Sequence, residues 1–193
     1  MKEIVGLLLA AGSASRFGSD KLSHSLPHGV PIAVQAARHL GAEIGEIVAV
    51  VKPGAHALAR ALEGAGCKVV VCEKAEEGMG ASLACAARAA GEARGYLVAL
   101  ADMPFIRPSS IAAVREALAA GAPLAAPYFR TRRGHPVGIA GRFFEDLLAC
   151  TGDEGAKKLF SAYGDDLVKV PVGDPGVVRD IDTPGDLTPP LVV

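Results

Sequence analysis

The sequence predicts an α/β protein with three layers: a mostly parallel sheet covered by helices on both faces. Two observations carry this. Apolar runs rich in β-branched residues alternate with alanine-rich stretches at helical spacing, and the apolar runs are nearly continuous rather than alternating, as in strands buried on both faces. A third sets the scale. The chain has 193 residues, 50% of them hydrophobic, with mean hydropathy +0.32, which excludes disorder and suits one domain over residues 1–193 with a sizeable core.

In order along the chain, residues 4–11 form the first predicted strand, and residues 32–40 a helix with Pro31 at its start and Gly41 at its end. Residues 47–51 are a strand stopped by Lys52-Pro53-Gly54. Leu58, Ala59 and Leu62 then fall at helical spacing before Gly64 and Gly66. Residues 69–72 are a strand, 73–80 a polar, glycine-bearing loop, and a helix opened by Ser82 continues to residue 90. The strand at 96–101 ends on Asp102. A helix follows Pro108-Ser109-Ser110, with Ile111, Val114 and Leu118 on one face. Residues 124–128 are a strand, and 137–140 pair back as a short one across a connection with three arginines. Short helices are expected at 143–148 and 156–163, strands at 167–172 and 177–181, and a last turn at Thr183-Pro184. The tail from residue 188 frays.

Composition narrows the function classes. Net charge is −1 and only 5% of residues are aromatic, with no Trp, so neither a basic field nor a stacking platform for nucleic acid is expected. Cys67, Cys72, Cys85 and Cys150 form no C-x-x-C and no zinc spacing, and read as reduced thiols. No apolar run approaches the roughly 20 residues that span a bilayer, and the short one after Met1-Lys2-Glu3 is a strand rather than a signal peptide. The expected compartment is the cytoplasm, with no membrane partner.

In parallel sheets, ligands sit outside the carboxyl ends of the strands, so the loops at 12–21, 52–54, 73–82 and 102–104 share one rim. The first is the most telling. Gly12, Ser13, Ala14 and Ser15 follow the strand, then Arg16, Gly18 and Lys21. Small residues let backbone amides approach an anion, and two cations can close over it. The spacing is neither a Walker A loop nor a G-x-G-x-x-G, and taken alone it also fits a plain turn with solvated cations. Asp102, a lone carboxylate at a strand end, suits Mg²⁺, which takes one or two carboxylates plus phosphate oxygens. Asp180 and Asp182 would share one face of an extended backbone, with Asp182 a second metal contact or a cap for the last turn. His24, His28, His39 and His56 lack a shared geometry. His135, beside Arg132 and Arg133, suits ligand orientation. Arg130, Arg132 and Arg133 would hold an anionic second substrate or form a hairpin tip.

Taken together, Leu9-Ala10-Ala11-Gly12 with Arg16, Phe17-Gly18 and Asp20-Lys21 resembles the signature of the molybdenum cofactor cytidylyltransferase and guanylyltransferase group. Glu77 to Leu83, Ala101-Asp102-Met103-Pro104, Gly134-His135-Pro136-Val137-Gly138, Gly152 to Ala156, and Asp180 to Leu187 are similar in type and order. Lys157 departs, standing where the family often has Arg. The resemblance implies a Rossmann-like nucleotidyltransferase fold that transfers CMP from CTP to the terminal phosphate of a molybdopterin-type cofactor, with Mg²⁺. Ala11 in the first loop is typical of the cytidylyl branch.

By the same resemblance, Arg16, Lys21 and Asp102 are catalytic. Leu9, Ala10, Ala11, Gly12, Ser13, Lys21, Glu73, Gly80, Ser82 and Asp102 bind the nucleotide. Arg132, His135 and Gly155 face the acceptor, Asp102 and Asp182 hold the metal, and a molybdoenzyme or its chaperone is an expected partner. The alternatives are a sugar or polyol phosphate as acceptor, a non-catalytic nucleotide- or cofactor-binding module, and, last, an Asp-x-Asp glycosyltransferase.

Overall fold

The computed structural model describes residues 2–12 and 21–188. Its eight strands form one sheet. Strand β1 (Lys2–Ala10) lies inside, flanked in parallel by β2 (Ile47–Val51) and β4 (Ala93–Leu100); Leu9 sits opposite both Val50 and Leu100. Beyond β2 comes β3 (Lys68–Val71), also parallel. Beyond β4 the direction reverses at β7 (Val137–Ala140), which is antiparallel both to β4 and to β5 (Leu124–Phe129). The two-residue β6 (Arg132–Arg133) pairs with the end of β5, and β8 (Leu167–Pro171) joins β5 in parallel. The predicted mostly parallel sheet is therefore present, and the residues expected to pair back supply the reversed strand.

Alternation along the strands builds two cores, one on each face. Leu8, Ala10, Ala49, Val51 and Leu97 point into a core closed by α1 (Ile32–Gly41), α2 (His56–Gly64) and α4 (Pro108–Ala119). Leu7, Leu9, Val48, Val50, Tyr96 and Val98 point the other way, under α3 (Met79–Ala90), α5 (Phe144–Leu148) and α6 (Lys157–Ala162). These are the three predicted layers. The phenol of Tyr96, fully buried, is satisfied at the foot of β4: it donates to the Gly91 carbonyl (2.7 Å) and accepts from the Ala93 amide (3.2 Å).

One predicted strand is not one. Pro175–Val178 forms a 3₁₀ turn, and residues 179–182 have no regular structure. Val177 and Ile181 are fully buried, so the apolar pattern reports core packing rather than a ladder. The Val177 carbonyl is taken by the His135 amide (2.8 Å), and the Gly176 amide by the Asp174 carboxylate (2.9 Å). Among the described residues, no helix is long and apolar enough to cross a membrane.

Candidate active site

Because β1, β2, β3 and β4 run parallel, their carboxyl ends open on one rim, and a cavity of about 540 Å³ lies there. That is within the ordinary range for small-molecule sites. Its floor is the end of β1, with Leu9, Ala11 and Gly12, and the end of β4, with Leu100 and Asp102. Lys52 stands after β2, Ala75 and Glu76 after β3, and Gly78, Met79 and Ser82 at the start of α3. Alternation turns the side chain of Ala10 into the opposite core, so any contribution of that residue is through its backbone.

Ser13 and Arg16 lie outside the described residues. In the 3₁₀ turn Lys21–Ser23, Lys21 is only 8% exposed, an unusual state for a lysine without partners. Its Nζ donates to Asp102 Oδ2 (2.9 Å) and to Asp182 Oδ1 (3.5 Å). Asp102 is held from both sides along the backbone. The Ala101 amide donates to the Leu9 carbonyl (3.0 Å), and the Ile181 amide donates to the Asp102 carbonyl (2.9 Å). Asp182 is steadied by Asp186, whose carboxylate accepts from the Asp182 amide (3.3 Å) and from the Thr183 amide (2.9 Å) and hydroxyl (2.8 Å). Those bonds from Thr183 hold the Asp186 carboxyl below the usual carboxylate range. Asp180 is exposed, and with no strand at 177–181 the two aspartates do not share a strand face.

The start of α3 depends on two glycines. A Cβ on Gly80 would collide with the backbone of Thr151, and one on Gly78 (φ 118°) with Gly152 and the Asp153 side chain. Without side chains there, residues 151–153 seat against the helix, and Asp153 reaches the cavity wall. Gly80 thus acts through packing. Ser82 is buried, lines the cavity, and donates to the Gly78 carbonyl (3.5 Å). Glu73 is exposed and off the wall; Glu76, three residues on, stands on it. Glu76 and Lys52 were legible only as members of rim loops.

None of the three residues expected at the acceptor, Arg132, His135 and Gly155, lines the cavity. Gly155 lies against the Met79 side chain, which is 45% exposed on the cavity wall. His135 Nδ1 is shielded from solvent and has no hydrogen-bond partner among the described residues. Burial pushes the His135 imidazole below its ordinary range, with the Arg133 guanidinium adding to that. The Val98 carbonyl and the Asp102 and Asp180 carboxylates pull the other way. The ring is therefore neutral at pH 7. Arg132 is exposed and donates to the Val178 carbonyl (3.4 Å), whereas Arg133 lies over the Phe160 ring, 4.7 Å from its centroid.

The donor set fits a hard divalent cation. Two carboxylates converge on one positive group, the Lys21 ammonium, beside a cavity able to hold phosphates. No cluster of three or more metal-binding side chains occurs among the described residues, so bound phosphate oxygens or water would complete a coordination shell.

The family described as the MobA-like NTP transferase domain matches residues 6–167. This chain belongs to that family. It is a nucleotidyltransferase, as the first loop and the Asp102 segment imply. Among solved structures, the MobA-like domain is similar to Rv0371c from Mycobacterium tuberculosis H37Rv, with 25% identity, coverage of 96% of this chain and 95% of that one, and TM-score 0.81. A nucleotidyl transferase from Methanothermobacter thermautotroptrophicus, Mth528, is 23% identical over 95% and 94% of the two chains, with TM-score 0.80. The 4-diphosphocytidyl-2C-methyl-D-erythritol synthase of Anaerococcus prevotii shares the fold at 14% identity, covering 96% and 93%, with TM-score 0.76. No curated protein matches the chain significantly.

Proposed function

We propose that this domain transfers CMP from CTP to the terminal phosphate of a molybdopterin-type cofactor and releases pyrophosphate. The observation that carries the reading is the Lys21 ammonium placed between Asp102 and Asp182 at the floor of the rim cavity. The acceptor phosphate is largely ionised at pH 7, since its second pKa is about 6, so its oxygen attacks the α-phosphorus without a general base. A new phosphorus–oxygen bond forms in line as the bond to the β-phosphate breaks, and pyrophosphate leaves.

The chain's work is positioning and charge neutralisation. The backbone of Leu9 to Gly12 would lie against the phosphates and Lys21 would balance the leaving charge; Ser13 and Arg16, given the same work by the sequence, lie outside the described residues. Ser82 and the start of α3, seated by Gly80, bound the ribose and base, with Glu76 on the wall where Glu73 was expected. His135, neutral, orients the acceptor together with Arg132 and Gly155. Asp102 and Asp182 would hold Mg²⁺, which supplies charge neutralisation at the reacting phosphate. A structure of Rv0371c is described as a manganese complex, in keeping with a divalent requirement. CTP is favoured by Leu9-Ala10-Ala11-Gly12, and a fold neighbour, CMP:2-keto-3-deoxy-manno-octonic acid synthetase, is described as complexed with CTP.

The test is pyrophosphate release from CTP, GTP, ATP and UTP, with and without molybdopterin cofactor. Release from CTP only with the cofactor is expected. Release with a sugar or polyol phosphate instead would reassign the acceptor. CTP binding without release for any acceptor would refute catalysis.

A further inference from the structure

Asp174 is a carboxylate only 3% exposed, far in the chain from every rim loop. Burying such a group is costly unless its oxygens are satisfied, and these are. Oδ2 accepts from the Arg107 amide (2.8 Å) and the Ser110 hydroxyl (2.8 Å), Oδ1 accepts from the Gly176 amide (2.9 Å), and the Arg107 guanidinium lies 4.0 Å away. Arg107 is the residue that opens α4, and its own side chain makes no cap bond to that helix. Asp174 thus ties the start of α4 to the 3₁₀ turn at Pro175–Val178.

Beyond that turn the chain leads to Asp182, eight positions after Asp174. Residues 179–182 belong to no helix or strand, so no ladder sets their path. The path is set at a few points. Asp174 anchors the beginning, and Gly176 packs so closely on the Phe105 carbonyl that a Cβ would collide. The Val177 carbonyl accepts from the His135 amide, the Ile181 amide donates to the Asp102 carbonyl, and Asp182 arrives at Lys21. Of these, Asp174 is the buried side chain that couples the segment to the body of the fold through charge-assisted bonds. Phe105, Arg107 and Ser110 lie just after Asp102 in the chain, so the anchor references Asp182 to the same stretch that carries the first carboxylate.

We propose that Asp174 is a positioning residue which holds the 175–182 segment in register and so sets where Asp182 presents its carboxylate to the divalent cation. This rests on the reading of Asp102 and Asp182 as the metal-holding pair. Partners that orient ligating carboxylates commonly change metal affinity by about 10- to 100-fold when removed.

The experiment titrates Mn²⁺ into the full chain and follows the free-ion signal by electron paramagnetic resonance, with and without CTP. It compares the parent protein with Asp174→Ala, Asp174→Asn, Ser110→Ala and Asp182→Ala. Hydrogen exchange over residues 175–183, urea unfolding and the KM for CTP are measured on the same samples. Asp174→Ala is expected to weaken Mn²⁺ binding about tenfold or more, as Asp182→Ala does, with faster exchange confined to 175–183 and an unchanged KM for CTP. Asp174→Asn, which keeps the shape, recovers part of the loss. Ser110→Ala removes one donor and shifts affinity less in the same direction, so it carries the test should the Asp174 variants not fold.

If Asp182→Ala weakens Mn²⁺ binding but folded Asp174 variants or Ser110→Ala do not, the positioning role is overturned and the metal reading stands. If Asp182→Ala itself leaves Mn²⁺ binding unchanged, the metal reading falls and the positioning role falls with it. A proportional drop in every quantity, tracking the folded fraction, also overturns the proposal.

Discussion

Replacing Lys21 by Met keeps most of the buried stem and removes the charge. In the structure that charge sits 2.9 Å from one carboxylate and 3.5 Å from another. A unit pair near 4 Å is worth about 4 kcal/mol at an effective dielectric constant of about 20. Most of that is offset by desolvation of the ammonium, and the Asp182 side chain is 50% exposed and well screened. The folding free energy therefore changes little. Turnover behaves differently, because a cation aimed at developing phosphate charge acts only as that charge forms. Losing such a donor costs about 100- to 1,000-fold in kcat/KM, roughly 3 to 4 kcal/mol.

The same substitution leaves two carboxylates without their shared cation, so Mn²⁺ binds Lys21→Met at least as tightly as the parent protein. Steady-state pyrophosphate release with the preferred triphosphate reads the first effect, and paramagnetic resonance of free Mn²⁺ reads the second. A loss under about threefold in kcat/KM would remove Lys21 from the chemistry. A loss accompanied by equally weakened Mn²⁺ binding would show that the lysine merely shapes the site.

Single contacts set the other expected outcomes. Gly80→Ala drives a methyl into the Thr151 backbone; it lowers stability by about 1 to 3 kcal/mol and raises the KM for the nucleotide, read by thermal unfolding and initial rates, and normal values for both would contradict the packing argument. Tyr96→Phe removes a phenol bonded to Gly91 and Ala93 and lowers the urea midpoint by the equivalent of about 1 to 2 kcal/mol with no change in KM; an unchanged midpoint would show that those bonds contribute nothing net. Burial pushes the Cys67 thiol up from 9.0 to about 11, so between those pH values the unfolded chain loses a proton that the folded one keeps, and stability falls as pH rises. Cys67→Ala flattens that alkaline decline in urea titrations at pH 8 to 11, and an identical slope in the two proteins would contradict the assignment.

The layers were legible because strand alternation and helical spacing are local properties of the chain. Leu7 and Leu8 point to opposite cores for a reason contained in two adjacent residues. The rim was legible for the same reason, since parallel strands that run into the loops at Gly12, Lys52, Glu73 and Asp102 must open on one side. Residues 177–181 read as a strand because buried Val177 and Ile181 have the right spacing, and the pattern cannot tell a ladder from an apolar segment pinned by single bonds.

The amino-acid sequence by itself determined the α/β class, the family signature, and the candidates Lys21, Asp102 and Asp182. Tertiary structure alone decided that Lys21 stands between carboxylates 81 and 161 positions away, that Glu76 rather than Glu73 stands on the wall, and that Asp174 anchors the segment carrying Asp182. Propensity and periodicity act over a few residues, whereas the meeting of distant charges is set by how the whole sheet stacks, twists and buries its two faces.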